Sequence, residues 1–87
     1  MKIAVWDTYV TKKNGNTMHF DILVNEEETD LEKIFSYGKK YLKMKGQEDS
    51  HLTSKECNFC HIDKASEEVE SSISNDGFYI IEMEGCE

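Results

Sequence analysis

Two runs near the start of the chain, Lys2 to Val10 and Thr17 to Val24, alternate apolar with polar residues. Both are rich in β-branched and aromatic side chains and read as strands. Asn14-Gly15 between them is a strong hairpin signal, because a two-residue type I′ turn wants positive φ at both central positions. Such a turn sets Tyr9 opposite Phe20 and Val5 opposite Val24. In that register Ile3, Val5, Tyr9, Met18, Phe20, Ile22 and Val24 share the core face. Trp6, Thr8, Val10, His19, Asp21 and Leu23 occupy the other. Asp7 falls amid the apolar face, opposite Ile22, a local conflict of the kind functional sites show. The plainer reading is a carboxylate accepting hydrogen bonds near the sheet end.

Helical periodicity follows. Thr29-Asp30-Leu31-Glu32 fits a capping box, and Leu31, Ile34, Phe35, Gly38 and Leu42 form a buried stripe. Lys39, Lys40, Lys43 and Lys45 gather toward the C-terminal end, where the helix dipole favours cations. Gly46 supplies the stop. Tyr37, Tyr41 and Met44 make a neighbouring stripe, either the edge of the core or a contact with another protomer. A second helix starts near Ser66, turns Val69 and Ile73 inward and closes at Asn75-Asp76-Gly77. Phe78 to Met83 reads as a third strand. The order β-β-α-α-β predicts one α+β domain over residues 1–87. It has two layers, a mainly antiparallel three-stranded sheet with both helices on one face, and the last strand beside the first.

Composition narrows the function classes. A chain of 87 residues has a thin core, burying only about 60–65% of its unfolded surface. It carries 18 acidic residues against 10 lysines and no arginine, for a net charge of −8. That charge repels polyanions and the best bidentate phosphate binder is missing, so nucleic acid is not an expected partner. The acidic patches at Glu26–Glu28 and Glu67–Glu70 read as solvated helix starts. No stretch approaches the roughly 20 apolar residues of a membrane span. Met1 to Asp7 lacks a basic segment followed by an apolar one, so no secretory signal is expected and the setting is cytoplasmic with reduced cysteines.

Cys57-Asn58-Phe59-Cys60-His61 is the one stretch crowded with soft ligands. A Cys-x-x-Cys pair can reach one tetrahedral ion, with His61 and the distant Cys86 completing a zinc set. The same pair suits thiol redox chemistry, although Glu56 beside it disfavours a thiolate. Cys-x-x-Cys-His is formally a haem-attachment motif, but that chemistry belongs to exported proteins. The alternative is reduced thiols packed beneath the sheet. Elsewhere His19 and Asp21 share a strand face about 6.7 Å apart, with Thr8 opposite Asp21. They could bind a metal or handle a proton, or be solvent-facing polar residues. With Asp7 they form a second candidate polar cluster.

The segments Val5 to Val10, Met18 to Asp21, Glu56 to His61 and Glu82 to Cys86 resemble the signature of a small bacterial family catalogued as a domain of unknown function. The resemblance spans essentially the whole chain and implies a compact α-β domain of this size, with no activity or site to carry over. By pairing Cys-x-x-Cys-His with a C-terminal Gly-Cys, it adds slight weight to a metal set of Cys57, Cys60, His61 and Cys86 and equally suits a packed core. No catalytic constellation stands out. The leading class is a binding or interaction module, with a protein partner or a second copy. A zinc-type metal protein or small metal-dependent enzyme and a thiol redox sensor are the alternatives.

Overall fold

The computed structural model describes residues 1–48 and 50–86. Its elements are β1 (Lys2–Thr11), β2 (Thr17–Asn25), α1 (Leu31–Met44), β3 (Cys57–Lys64), α2 (Glu67–Asp76) and β4 (Tyr79–Glu84). The fold is α+β with an antiparallel sheet, but the sheet has four strands in the order β3-β1-β2-β4. The expected three-stranded sheet lacked β3, and β4 pairs with β2 rather than with β1.

The hairpin differs from expectation by one residue. The Gly15 amide bonds the Lys12 carbonyl at 2.9 Å, and the Lys12 amide bonds the Asn16 carbonyl at 2.8 Å. Gly15 has φ +87°, whereas no non-glycine residue among those described has positive φ. This is a type I turn followed by a left-handed glycine, the three-residue hairpin loop, and not the two-residue I′ turn. Thr11 therefore meets Thr17, Tyr9 meets His19 and Asp7 meets Asp21. Because side chains alternate, the slip moves the whole of β1 to the other face relative to β2.

The helices accordingly sit on opposite faces of the sheet, correcting the two-layer expectation. Ala4, Val10, Met18, Phe20, Ile22 and Val24 form a core with Ile34, Tyr41 and Leu42 of α1. Ile3, Val5 and Leu23 form a second core with Val69 and Ile73 of α2. The first is the larger, and Thr8, fully buried, belongs to the same face as Phe20 opposite it. Its hydroxyl donates to the Trp6 carbonyl at 3.3 Å. Gly38 lets α1 lie close to the sheet: a Cβ there would collide with Leu52 Cδ2 and come within 2.9 Å of Ile22 Cδ1.

Local chemistry sets the helix ends. Asp30 caps α1, its carboxylate accepting from the Glu32 and Lys33 amides, one residue beyond the expected Thr29. Leu31 consequently sits at the first turn, 45% exposed, and Tyr41 takes its place in the core. Tyr37 stacks on Phe78 at 4.6 Å, while Met44 is exposed. Ser66 and Gly77 cap α2 where the sequence places them. β3 escaped the alternation rule because it is an edge strand with a bulge between Val5 and Trp6 of its partner. The extra residue is Cys60. Phe59 and Ile62, three apart in sequence, lie beside Trp6 and Ala4 on one face, a spacing no regular strand shows.

Candidate functional site

α2 covers only the Ile3, Val5 and Leu23 half of its face. The other half carries Asp7 and Tyr9 of β1 across from Asp21 and His19 of β2. Carboxylates placed directly opposite one another across two strands repel, and the repulsion grows as water is removed. Here His19 joins them. Its Nε2 lies 3.5 Å from Asp7 Oδ1 and 3.6 Å from Asp21 Oδ1. The three ligand atoms all fall within 4.8 Å of one another, the one such group of three among the described residues.

The trio is shielded. The side chains of His19 and Asp21 are 16% and 13% exposed, against 35% for Asp7. His19 Nε2 and Asp21 Oδ1 each expose less than 1 Å² and have no hydrogen-bond partner, a costly condition for buried polar atoms. Tyr9 stacks on the His19 ring, centroids 4.0 Å apart and planes 13° from parallel, which holds the imidazole in place. Burial, then the bond to Asp7 and its charge, pushes the Asp21 carboxyl up to about 6. The same bond, opposed by burial and helped by Cys60 and His19, holds Asp7 below its ordinary value. Two carboxylates that share one proton behave in this way.

The cysteine segment is divided by the sheet. Cys57 is buried in the α1 core beside Thr8, and burial pushes its thiol up. Cys86 is buried in the same core, its thiol donating to the His19 carbonyl at 3.3 Å. Cys60 and His61 are exposed on the opposite face, with Cys60 Sγ 3.2 Å from His61 Nδ1. Cys57, Cys60, His61 and Cys86 therefore do not converge as a metal set. Cys60 instead meets the Asp7 carboxylate, and desolvation followed by that bond raises its thiol. His61 and Asp21 line a cleft of about 430 Å³ that reaches the start of α2, with Val5, Leu23, Val69 and Ile81 in its walls. His51 is elsewhere, in a cleft with Lys12, Lys13 and Lys55.

Asp7, His19 and Asp21 were all legible as candidates, but the expected register put Asp7 on the face opposite the other two. Tyr9 and Cys60 were missed as their neighbours. The signal for both lay in the pairing of β1 with β2 and β3, which no local pattern reports.

Residues 1–83 match the family described as Domain of unknown function (DUF2024). The chain belongs to that family. It is similar over its full length to protein NE1680 from Nitrosomonas europaea, solved by NMR, with 42% identity, 100% of both chains covered and a TM-score of 0.86. Among curated proteins nothing matches. No helix among the described residues is long and apolar enough to cross a membrane.

Proposed function

We propose that this protein is a binding module whose ligand is a divalent metal cation, held on the open half of the sheet by Asp7, His19 and Asp21. The observation that carries this reading is the convergence of His19 Nε2 and two carboxylate oxygens, two of the three atoms being buried without a hydrogen-bond partner. Ligand atoms 2.0–2.2 Å from a tetrahedral ion stand about 3.4 Å apart, close to the 3.5 and 3.6 Å found. A dication between the carboxylates replaces their repulsion with attraction and completes the coordination of both orphaned atoms. One imidazole and two carboxylates leave room for further ligands on the solvent side.

Isothermal titration of metal-free protein with zinc tests this. One equivalent is expected to bind to the native chain, and His19→Ala or Asp21→Ala should weaken binding by about 100-fold or more. Uptake below about 0.1 equivalent by the native chain would end the proposal.

A second reading is favoured by the exposure of Tyr9 (51%) and Met83 (55%) beside the trio. On it, the same face docks a protein, such as a second copy of this chain. Light scattering on purified protein should then show a mass that rises with concentration and returns to the monomer value for Tyr9→Glu; a constant monomer mass contradicts it.

A further inference from the structure

We propose that Cys60 is the fourth protein ligand at the Asp7, His19 and Asp21 site, which selects a thiophilic divalent ion of the zinc or cobalt(II) kind over magnesium or calcium. The inference rests on the trio being a cation site and adds a ligand that assigns the class of ion.

The β3 bulge is the structural device. In a regular strand only one of two consecutive residues faces a given side. The extra residue at Cys60 sets His61, rather than Cys60, opposite Val5, so His61 turns into the cleft it shares with Asp21 and the sulfur of Cys60 lies beside it, 3.2 Å from His61 Nδ1. Cys60 there meets the carboxylate of Asp7, which also contacts Asp21 and lies 3.5 Å from His19. Its sulfur is not among the three ligand atoms that already lie within 4.8 Å of one another. Cys60 is exposed on an edge strand, so rotation about χ1 can carry its sulfur from Asp7 onto an ion beside Asp7 without disturbing either core. Cys57 and Cys86 have no such freedom, since both are buried on the other side of the sheet.

A Zn–S bond near 2.3 Å is slightly longer than the Zn–N and Zn–O bonds, as a ligand entering from a neighbouring strand requires. Two carboxylates and a neutral imidazole alone would accept magnesium or manganese; a thiolate shifts the preference to borderline and soft ions. His61 supports the sulfur from the second layer, its Nδ1 3.2 Å from Cys60 Sγ and its Nε2 3.7 Å from Asp63 Oδ2. Hydrogen-bonded ligand pairs of this kind orient the donor and raise affinity. On ligation the thiol proton leaves to solvent and the sulfur lone pair binds the ion; no oxidant or reductant takes part.

Cobalt(II) titration of the metal-free protein, followed by absorbance, separates the possibilities. For the native chain we expect visible ligand-field bands together with a near-ultraviolet sulfur-to-cobalt charge-transfer band. In Cys60→Ser the ligand-field bands should persist at cobalt concentrations at least about tenfold higher, and the charge-transfer band should vanish. Ligand-field bands without charge transfer in the native chain, or a charge-transfer band that survives Cys60→Ser, overturn the role of Cys60 while leaving the trio standing. Absence of every cobalt band in the native chain removes the trio reading and this inference together.

Discussion

Zinc added to the metal-free protein at a hundred times its dissociation constant is expected to raise the midpoint of thermal unfolding by about 10–20 °C at pH 7.5. A ligand that binds only the folded chain at that excess stabilises it by about 2.7 kcal/mol, and each kcal/mol is worth roughly 4–8 °C in a domain of this size. At that same zinc concentration, the change of the response with pH follows from the state of Asp21. Its carboxyl titrates near 6 in the folded chain, against an ordinary value of 3.8. The folded chain thus holds this proton more tightly than the unfolded one. The resulting stabilisation is complete below the ordinary value, fades as pH rises through 6, and is absent above it. Asp7, held low, behaves oppositely: its contribution is present at neutral pH and is lost on acidification. At pH 7.5 both carboxylates are charged and face one another, and zinc has most to offset. At pH 5 a proton already occupies the pair, so the zinc response should shrink. Asp21→Asn removes one charge while keeping the shape. Its metal-free form should melt above the native chain at pH 7.5 and show little response to zinc. Scanning calorimetry at both pH values decides the matter. Equal zinc responses in the native chain and in Asp21→Asn would remove the carboxylate pair from the site.

Phe20→Ala should cost about 3–5 kcal/mol, the range for emptying a buried aromatic site. Phe20 is 0% exposed in the centre of the α1 core, its ring 4.6 Å from that of Tyr41. Domains hold together by roughly 0.05–0.15 kcal/mol per residue, so an 87-residue chain has little margin to lose. Much of Phe20→Ala should be unfolded at 37 °C, as read by circular dichroism and urea titration. Phe59→Ala, at 52% exposure on the edge strand, should change stability by under about 1 kcal/mol. Comparable losses for the two would mean that α1 does not pack on the Phe20 side of the sheet.

Elements governed by near neighbours were readable directly. Ser66 and Gly77 bracket α2 as their cap chemistry requires, and α1 stops at Met44 with Lys45 as its cap, just before Gly46, whose φ is +76°. The α1 cap fell one residue later than expected because Thr29 and Asp30 are both competent caps and only one can hold the position. Asn14-Gly15 did mark the hairpin. Asn-Gly, however, serves a type I turn with a left-handed glycine as well as a type I′ turn, and the two differ by one residue of register.

Alternation ordinarily exposes such a slip, since one register strands apolar side chains in water. Here it could not. β1 is apolar on both sides, with Ile3 and Val5 under α2 and Ala4 and Val10 under α1, so either pairing looked acceptable. β3 went unrecognised for a related reason: seven of its eight residues are not buried, and its bulge breaks the period.

Residue order alone settled what depends on a few neighbours in the chain: two amphipathic helices and their stops, a hairpin, a closing strand, and the residue types able to bind metal. Which of those residues meet was decided by the pairing of four strands and the placement of one helix on each side of the sheet. Asp7 faces Asp21 through a one-residue choice at a distant turn, and Cys60 joins them through a bulge on another strand. Such contacts join segments far apart in the chain, and the turn and bulge that align them are selected by the burial of two cores at once.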